Sequence, residues 1–324
     1  MSEKPLVAVS IGDLNGIGIE IALQAHNTVT SFCRPVYFVG YDMAEQAAKR
    51  LHTALPSDFR HIAPDAAHFT ISPGSVDAAS GRYSFASFEK AVEHTEKGVC
   101  SAVVTLPIHK EAWMKAGIPY KGHTDALRDF FGRDAIMMLG CEELYVALFT
   151  EHIPLKEVPA KIEKERLLSF LLDFQRETEA EKIGVLGLNP HAGDHGVLGD
   201  EERIIEEAII EANRKTGTGN RKSGRGEKIF EGPLVPDVAF TPKMRENFRY
   251  FVAMYHDQGL APLKALYFDE SINVSLNLPI VRTSVDHGTA FDIAYLPDRP
   301  VNLKSYIEAV KAAVSMARRR LQRS

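Results

Sequence analysis

The chain has 324 residues, 45% of them hydrophobic and 25% charged, with a formal net charge of -5 and a pI near 6.2. This composition suits one large or two medium globular domains and argues against nucleic acid or an anionic membrane as the main partner, because a net-acidic surface attracts neither. No window of about eighteen apolar residues occurs and the start lacks a long apolar stretch, so a cytoplasmic protein is expected.

The first apolar run, residues 6–11, leads into Gly12-Asp13-Leu14-Asn15-Gly16-Ile17-Gly18 and then an amphipathic stretch over 19–26. The pattern reads as strand, glycine loop and helix. The glycines do not form GxGxxG, so they read as turn glycines and not as a dinucleotide fingerprint. Further strands are expected over 36–40, 102–106, 135–139, 144–150, 183–188, 251–255 and 272–276, and helices over 85–98, 164–179, 201–213 and 302–321. Such alternation predicts α/β layers on a largely parallel sheet. In the last helix Ile307, Val310, Val314, Ala317 and Leu321 fall at helical spacing, while Arg318, Arg319, Arg320 and Arg323 complement its dipole. Residues 213–228 are basic, glycine-rich and almost without apolar side chains, which reads as a surface loop; a lid attracting anionic ligands is the sharper alternative. Cys33, Cys100 and Cys141 are far apart and offer no CxxC pair, so they read as reduced thiols.

Most histidines, among them His26, His52, His61, His68 and His94, read as surface or satisfied side chains. His152, His191 and His256 each follow an apolar run, and His123 lies in a glycine-containing turn. Three strand-end imidazoles suit a divalent site with an open position, zinc first, although no HExxH spacing brings them together and folding would have to do so. His195, in the same small-residue turn as His191, ranks below them because no strand positions it. The stretch Tyr255-His256-Asp257-Gln258-Gly259 closes one apolar run and is followed by Lys264; its plain alternative is a turn with a capped helix behind it. Lys264, Asn273 and Arg282 form a set suited to phosphate or carboxylate, the arginine supplying a planar fork. His287-Gly288-Thr289-Ala290-Phe291-Asp292 offers a small-residue turn for a nucleotide and a carboxylate for ribose hydroxyls.

Five blocks in order carry a resemblance over nearly the whole chain: Gly122-His123-Thr124-Asp125, Thr150-Glu151-His152-Ile153-Pro154-Leu155, Leu188-Asn189-Pro190-His191-Ala192-Gly193, Met254-Tyr255-His256-Asp257-Gln258-Gly259-Leu260 and Arg282-Thr283-Ser284-Val285-Asp286-His287-Gly288-Thr289-Ala290. With these the chain resembles the 4-hydroxythreonine-4-phosphate dehydrogenase family of pyridoxal-phosphate biosynthesis. The opening glycine loop departs from the family's Pro-Gly-Glu-Pro-Ala-Gly-Ile-Gly at several positions, and the basic segment looks like an insertion. The resemblance implies a fold similar to isocitrate and isopropylmalate dehydrogenases, with two α/β/α domains flanking a cleft: residues 1–121 and 296–324 in the first, 122–295 in the second with most metal and substrate residues. It implies His152, His191 and His256 as ligands of a divalent metal (zinc, with magnesium or cobalt as alternatives), and His123, Thr124, Lys264, Asn273 and Arg282 as substrate residues. Further implications are a homodimer with a shared active site, and NAD, with NADP as alternative, at His287, Gly288, Thr289, Ala290 and Asp292.

The implied reaction is NAD-dependent oxidation of 4-phosphohydroxy-L-threonine to 2-amino-3-oxo-4-phosphonooxybutanoate, which decarboxylates to 3-amino-2-oxopropyl phosphate. Lys264, Asp257 and Asp237 are the candidates for the proton relay. Two alternatives stand beside it: a paralogous dehydrogenase of threonate or erythronate 4-phosphate, and a non-catalytic phosphometabolite-binding protein.

Overall fold

The computed structural model describes residues 3–217 and 228–323, so most of the basic segment, and with it the lid reading, lies outside the described residues. The strands in chain order are β1 (Leu6–Ser10), β2 (Arg34–Phe38), β3 (Ala102–Thr105), β4 (Ile136–Cys141), β5 (Leu144–Leu148), β6 (Ile183–Leu186), β7 (Phe230–Leu234), β8 (Tyr250–Ala253), β9 (Ile272–Leu276) and β10 (Arg282–Val285). The chain divides into two compact units, Met1–Ala135 with Asp269–Ser324, and Ile136–Phe268.

The unit holding both chain ends has the strand order β2-β1-β3-β10-β9. β1, β2, β3 and β10 pair in parallel, and β9 joins β10 antiparallel. Helix Lys304–Arg323 covers one face, where the Thr283 hydroxyl donates to Ala309 O at 2.8 Å. The other face is built on Phe38, Phe88, Val103, Trp113 and Leu127, a cluster supplied by the helices Ala78–Glu96, Lys110–Lys115 and His123–Phe131. Two of those helices touch backbone to side: a Cβ on Gly81 would lie 2.1 Å from Ala112 O. Trp113, the largest side chain here, has its indole N–H satisfied by Ser84 Oγ at 2.8 Å.

The second unit has the order β4-β5-β8-β6-β7, with β4 and β5 an antiparallel hairpin and the remaining pairs parallel. Helix His256–Tyr267 packs Leu260 and Leu263 onto Val146, Leu148 and Phe251. Gly259 is required there by space, since a Cβ would sit 2.5 Å from Val146 Cγ1 and 2.9 Å from the Ala253 methyl. Helix Lys164–Thr178 buries Leu167, Leu171 and Phe174 and packs beside helix Glu201–Lys215.

The α/β alternation expected from the sequence is present, and within each unit the strands are parallel but for one antiparallel pair, β9–β10 in one and β4–β5 in the other. The unit boundaries differ from the expected 121/122 and 295/296. His123 lies 4.8 Å from the Phe88 ring and 5.5 Å from Trp113, and β9 and β10 extend the sheet from β3, so 122–135 and 269–295 belong with the chain ends. Consequently His123, Thr124, Asn273, Arg282 and the 287–292 turn occupy the unit of both termini, while His152, His191, Asp237, His256, Asp257 and Lys264 occupy the other. Two strands escape sequence reading: β7 (Phe-Glu-Gly-Pro-Leu) contains two strand breakers, and β10 (Arg-Thr-Ser-Val) is polar though buried.

The glycines after β1 are structural, as their spacing suggests. Gly12 has φ +72 and no room for a Cβ, which would meet Pro107 O at 2.3 Å. Between them, Asp13 accepts from Asn15 N at 2.9 Å and from Ser80 Oγ at 3.1 Å, and Asn15 ties in Ser72, Ser75 and Asp77. Burial, opposed by those bonds, pushes the Asp13 carboxyl up from 3.8 to about 6. A raised folded value means that its stabilising contribution is present below the unfolded value and is lost as pH rises through about 6; ionised Asp13 then costs roughly 3 kcal/mol. Asp13→Asn is therefore expected to raise Tm by a few degrees near pH 7.5, the gain shrinking to nothing near pH 4. A thermal melt series across that range checks it, and a pH-independent change would remove the assignment.

Candidate functional site

At the carboxyl ends of β1 and β3 the register aligns Ser10 with Thr105, Thr105 with Ser284, and Ser284 with Asn273, a polar row across four strands. Arg282, two residues before Ser284 and so on the same face, is 2% exposed. Its Nη1 donates to Ser275 Oγ at 3.0 Å and its Nη2 to Thr105 Oγ1 at 2.7 Å, while Nε is buried without a protein partner. Burial pulls the guanidinium down to about 9, so it still carries its charge at neutral pH. The Oδ1 of Asn273, the Nε2 of His123 and the Oγ of Ser10 are likewise buried without partners.

His123 opens helix His123–Phe131, its ring wedged against Phe88 and Trp113. Burial first, and the Arg282 charge second, hold its pKa well below 6.5, which leaves a neutral imidazole able to donate or accept. Thr124 follows it, 8% exposed. His123, Asn273 and Arg282 thus present orphaned polar atoms around one guanidinium, a buried cradle suited to a phosphate or carboxylate.

The turn 287–292 is held from below by the glycine loop. Ile17 N donates to Thr289 O at 3.1 Å, and a Cβ on Gly16 would meet Thr289 O at 2.7 Å. Ala290 has φ +44, and His109 stacks on Phe291 at 4.7 Å. Burial lowers the His287 pKa, and its Nε2 has no protein partner. Gly288 and Asp292 are exposed.

In the second unit, His256 begins helix His256–Tyr267 directly after β8. Its Nδ1–H donates to Asp257 Oδ1 at 2.7 Å, which places the lone pair on Nε2. The ring centroid of His152 lies 5.5 Å away. Gln258 ties the turn to β6, accepting from Met254 N at 2.8 Å and donating to Gly187 O at 2.6 Å. Lys264, about 12 Å further along the helix axis, has Nζ 6.0 Å from the Phe268 ring centre. Asp237 is exposed on helix Pro236–Ala239, which packs against the His191 turn.

That turn has an uncommon backbone. His191, Ala192, Gly193, Asp194 and His195 all have φ between +43 and +76, a conformation costing about 1 kcal/mol or more at each non-glycine residue. Glu202 holds it: Oε1 accepts from Leu188 N (2.9 Å) and Asn189 N (2.6 Å), and Oε2 from Asn189 Nδ2 (2.9 Å). Nothing in the pattern around Glu202 distinguishes it from the other acidic residues opening its helix, so sequence reasoning missed it. Glu202→Ala is expected to cost about 2–4 kcal/mol, read as a lower denaturant midpoint with faster proteolysis in 189–196. An unchanged midpoint would discount the anchoring.

Fitting a divalent metal to these residues gives a partial match. His152 and His256 are close enough to share one ion, with Asp257 orienting the second in the manner usual for ligating histidines. Among the described residues, however, no group of three or more His, Cys, Asp or Glu could hold a metal within this single chain, so His191 does not join the pair here.

Fold and geometry together define an α/β protein with a buried arginine cluster of a chemistry suited to anions at strand ends in one unit, and two neighbouring imidazoles in the other. A family model described as pyridoxal phosphate biosynthetic protein PdxA matches residues 31–313. A protein of Sulfurimonas denitrificans named 4-hydroxythreonine-4-phosphate dehydrogenase is 56% identical over 316 residues, covering 98% of this chain and 99% of its own. Another of that name, from Campylobacter fetus, is 52% identical and covers 96% and 98%. The crystal structure of 4-hydroxythreonine-4-phosphate dehydrogenase from Klebsiella pneumoniae matches 98% of each chain with a TM-score of 0.79 at 29% identity. The chain belongs to the PdxA family. No described helix is long and apolar enough to cross a membrane.

Proposed function

We propose that this protein is an NAD-dependent, divalent-metal-dependent dehydrogenase that oxidises the C3 hydroxyl of 4-phosphohydroxy-L-threonine in pyridoxal phosphate biosynthesis, acting in the cytoplasm as a homodimer. The observation that carries the reading is the buried Arg282 cradle, with its orphaned His123 and Asn273 atoms, in a member of this family. Arg282, His123, Thr124 and Asn273 bind the substrate's anionic end, with Lys264 contributing a second cation. The neutral imidazole of His123 adds a hydrogen bond without repelling Arg282. Lys264 or Asp237 receives the hydroxyl proton; Asp257, bonded to His256, suits orientation better than relay. The turn 287–292 binds the nucleotide, Asp292 accepting from ribose hydroxyls.

A divalent ion, zinc or alternatively magnesium or cobalt, held by His152, His256 and His191 shared between subunits, would supply Lewis acidity: it favours ionisation of the hydroxyl and stabilises negative charge on oxygen during oxidation and decarboxylation. Sharing between subunits would leave each chain to present only part of the ligand set.

The test is NADH formation with 4-phosphohydroxy-L-threonine and with threonate 4-phosphate side by side. Preferred turnover of the amino substrate is expected. Faster oxidation of threonate 4-phosphate would transfer the assignment to that substrate, and no NADH from either would leave a binding protein. With the amino substrate, catalytic efficiency should be at least about tenfold higher with NAD than with NADP, because Asp292 repels a 2′-phosphate. Equal efficiencies would contradict that role.

A further inference from the structure

We propose that Thr105 and Ser275 are positioning residues that aim the Arg282 guanidinium at the phosphate group of the substrate. The inference rests on the reading of Arg282 as a substrate residue and extends it to two side chains on neighbouring strands.

A buried arginine kept for stability is expected to face a carboxylate, because an uncompensated buried charge is costly. Among the described residues Arg282 has no carboxylate partner; its two contacts are the neutral hydroxyls of Ser275, at 3.0 Å, and Thr105, at 2.7 Å. All three side chains are essentially without solvent contact, Thr105 at 0%, Ser275 at 2% and Arg282 at 2% exposed. Hydroxyls fix the direction of the fork while leaving its positive charge uncancelled, which is what a dianionic phosphate requires and what a carboxylate would spoil.

Sheet register makes the hold precise in direction. Ser275 faces Arg282 across β9 and β10, and Thr105 faces Ser284 across β3 and β10. The guanidinium is thus gripped from the strand on either side of its own. With one hydrogen of Nη1 and one of Nη2 engaged in this way, Nε remains the guanidinium nitrogen without any partner, in company with His123 Nε2 and Asn273 Oδ1. Ser10 Oγ, orphaned in the same row, borders the same end of the sheet.

Thr105→Val keeps the shape and removes the hydroxyl, Thr105→Ser keeps the hydroxyl, and Ser275→Ala removes the other contact. The full-length protein and each variant are titrated calorimetrically with inorganic phosphate, and KM is measured separately for 4-phosphohydroxy-L-threonine and for NAD. Thr105→Val is expected to weaken phosphate binding and raise the substrate KM by about tenfold, with kcat changed much less, the NAD KM unaltered, and Thr105→Ser recovering most of the loss. A merely structural role would lower the folded fraction without splitting the two KM values. Unchanged phosphate affinity in Thr105→Val, a loss shared equally by NAD, no recovery in Thr105→Ser, or no phosphate binding by the parent protein each overturns the proposal. Should Thr105→Val not fold, Ser275→Ala carries the same comparison with the same outcomes. Phosphate binding that depends on Thr105 in a protein inactive on 4-phosphohydroxy-L-threonine would instead overturn the substrate assignment and leave the positioning role standing.

Discussion

His256→Ala is expected to abolish turnover and metal binding together, with kcat/KM falling on the order of a thousandfold or more. The side chain is fixed from three directions: it opens a helix at the end of β8, Gln258 closes the turn by accepting from Met254 N at 2.8 Å and ties it to Gly187, just past β6, at 2.6 Å, and Asp257 sets the tautomer at 2.7 Å. Its ring stands 5.5 Å from that of His152, so removing it takes away one of the two imidazoles that stand together there. Asp257→Asn should be milder, about ten- to a hundredfold, because the amide still accepts from Nδ1–H but without charge. Metal content by atomic absorption, read beside steady-state rates, separates the two variants. A His256→Ala protein that retains activity with stoichiometric zinc would sink the assignment.

Arg282→Lys carries the second large effect, a loss of about 2–4 kcal/mol of substrate binding, or roughly thirty- to a thousandfold in kcat/KM. A lysine ammonium keeps the charge but cannot reach Ser275 and Thr105 at once while presenting a third donor outward, as the guanidinium does. The KM for NAD should hardly move, since the turn 287–292, proposed to hold the nucleotide, rests on the glycine loop and not on Arg282. Steady-state constants for both substrates check this. An equal rise in both would mean general damage to the unit and would remove the specific role.

The strand and helix pattern was legible wherever a buried face had a clean period. The last helix is one case: Lys304–Arg323 buries Val310, Val314 and Ala317 as spaced in the sequence, with Ile307 half-buried, whereas Leu321, expected in the same stripe, is exposed at the helix end. A helix after His256 is offered by the sequence as the plain alternative and is present as His256–Tyr267; what the sequence does not show is why Gly259 stands in it, since its close packing on Val146 is visible only once the strand lies beneath. β10 escapes for a different reason: Arg282, Thr283 and Ser284 are polar yet buried, bonded to Ser275, Thr105 and Ala309 on neighbouring elements that no local pattern reveals.

The sequence alone determined the α/β alternation, the placement of histidines at strand ends, the structural nature of the glycine loop and the family, because these depend on local periodicity and on short blocks of contiguous residues. His26 also reads correctly as a satisfied histidine, bonded to Tyr37 at 3.0 Å and Asp58 at 2.9 Å. Only the tertiary structure decided that Thr105 and Arg282, 177 residues apart, share a hydrogen bond, that Glu202 holds the left-handed His191 turn, and that the buried Arg282 cluster and the His152–His256 pair belong to different units. These depend on which strands become neighbours and in what register. A one-residue shift in register would turn Thr105 to the opposite face of the sheet, so the cradle is a property of pairing that no local pattern contains.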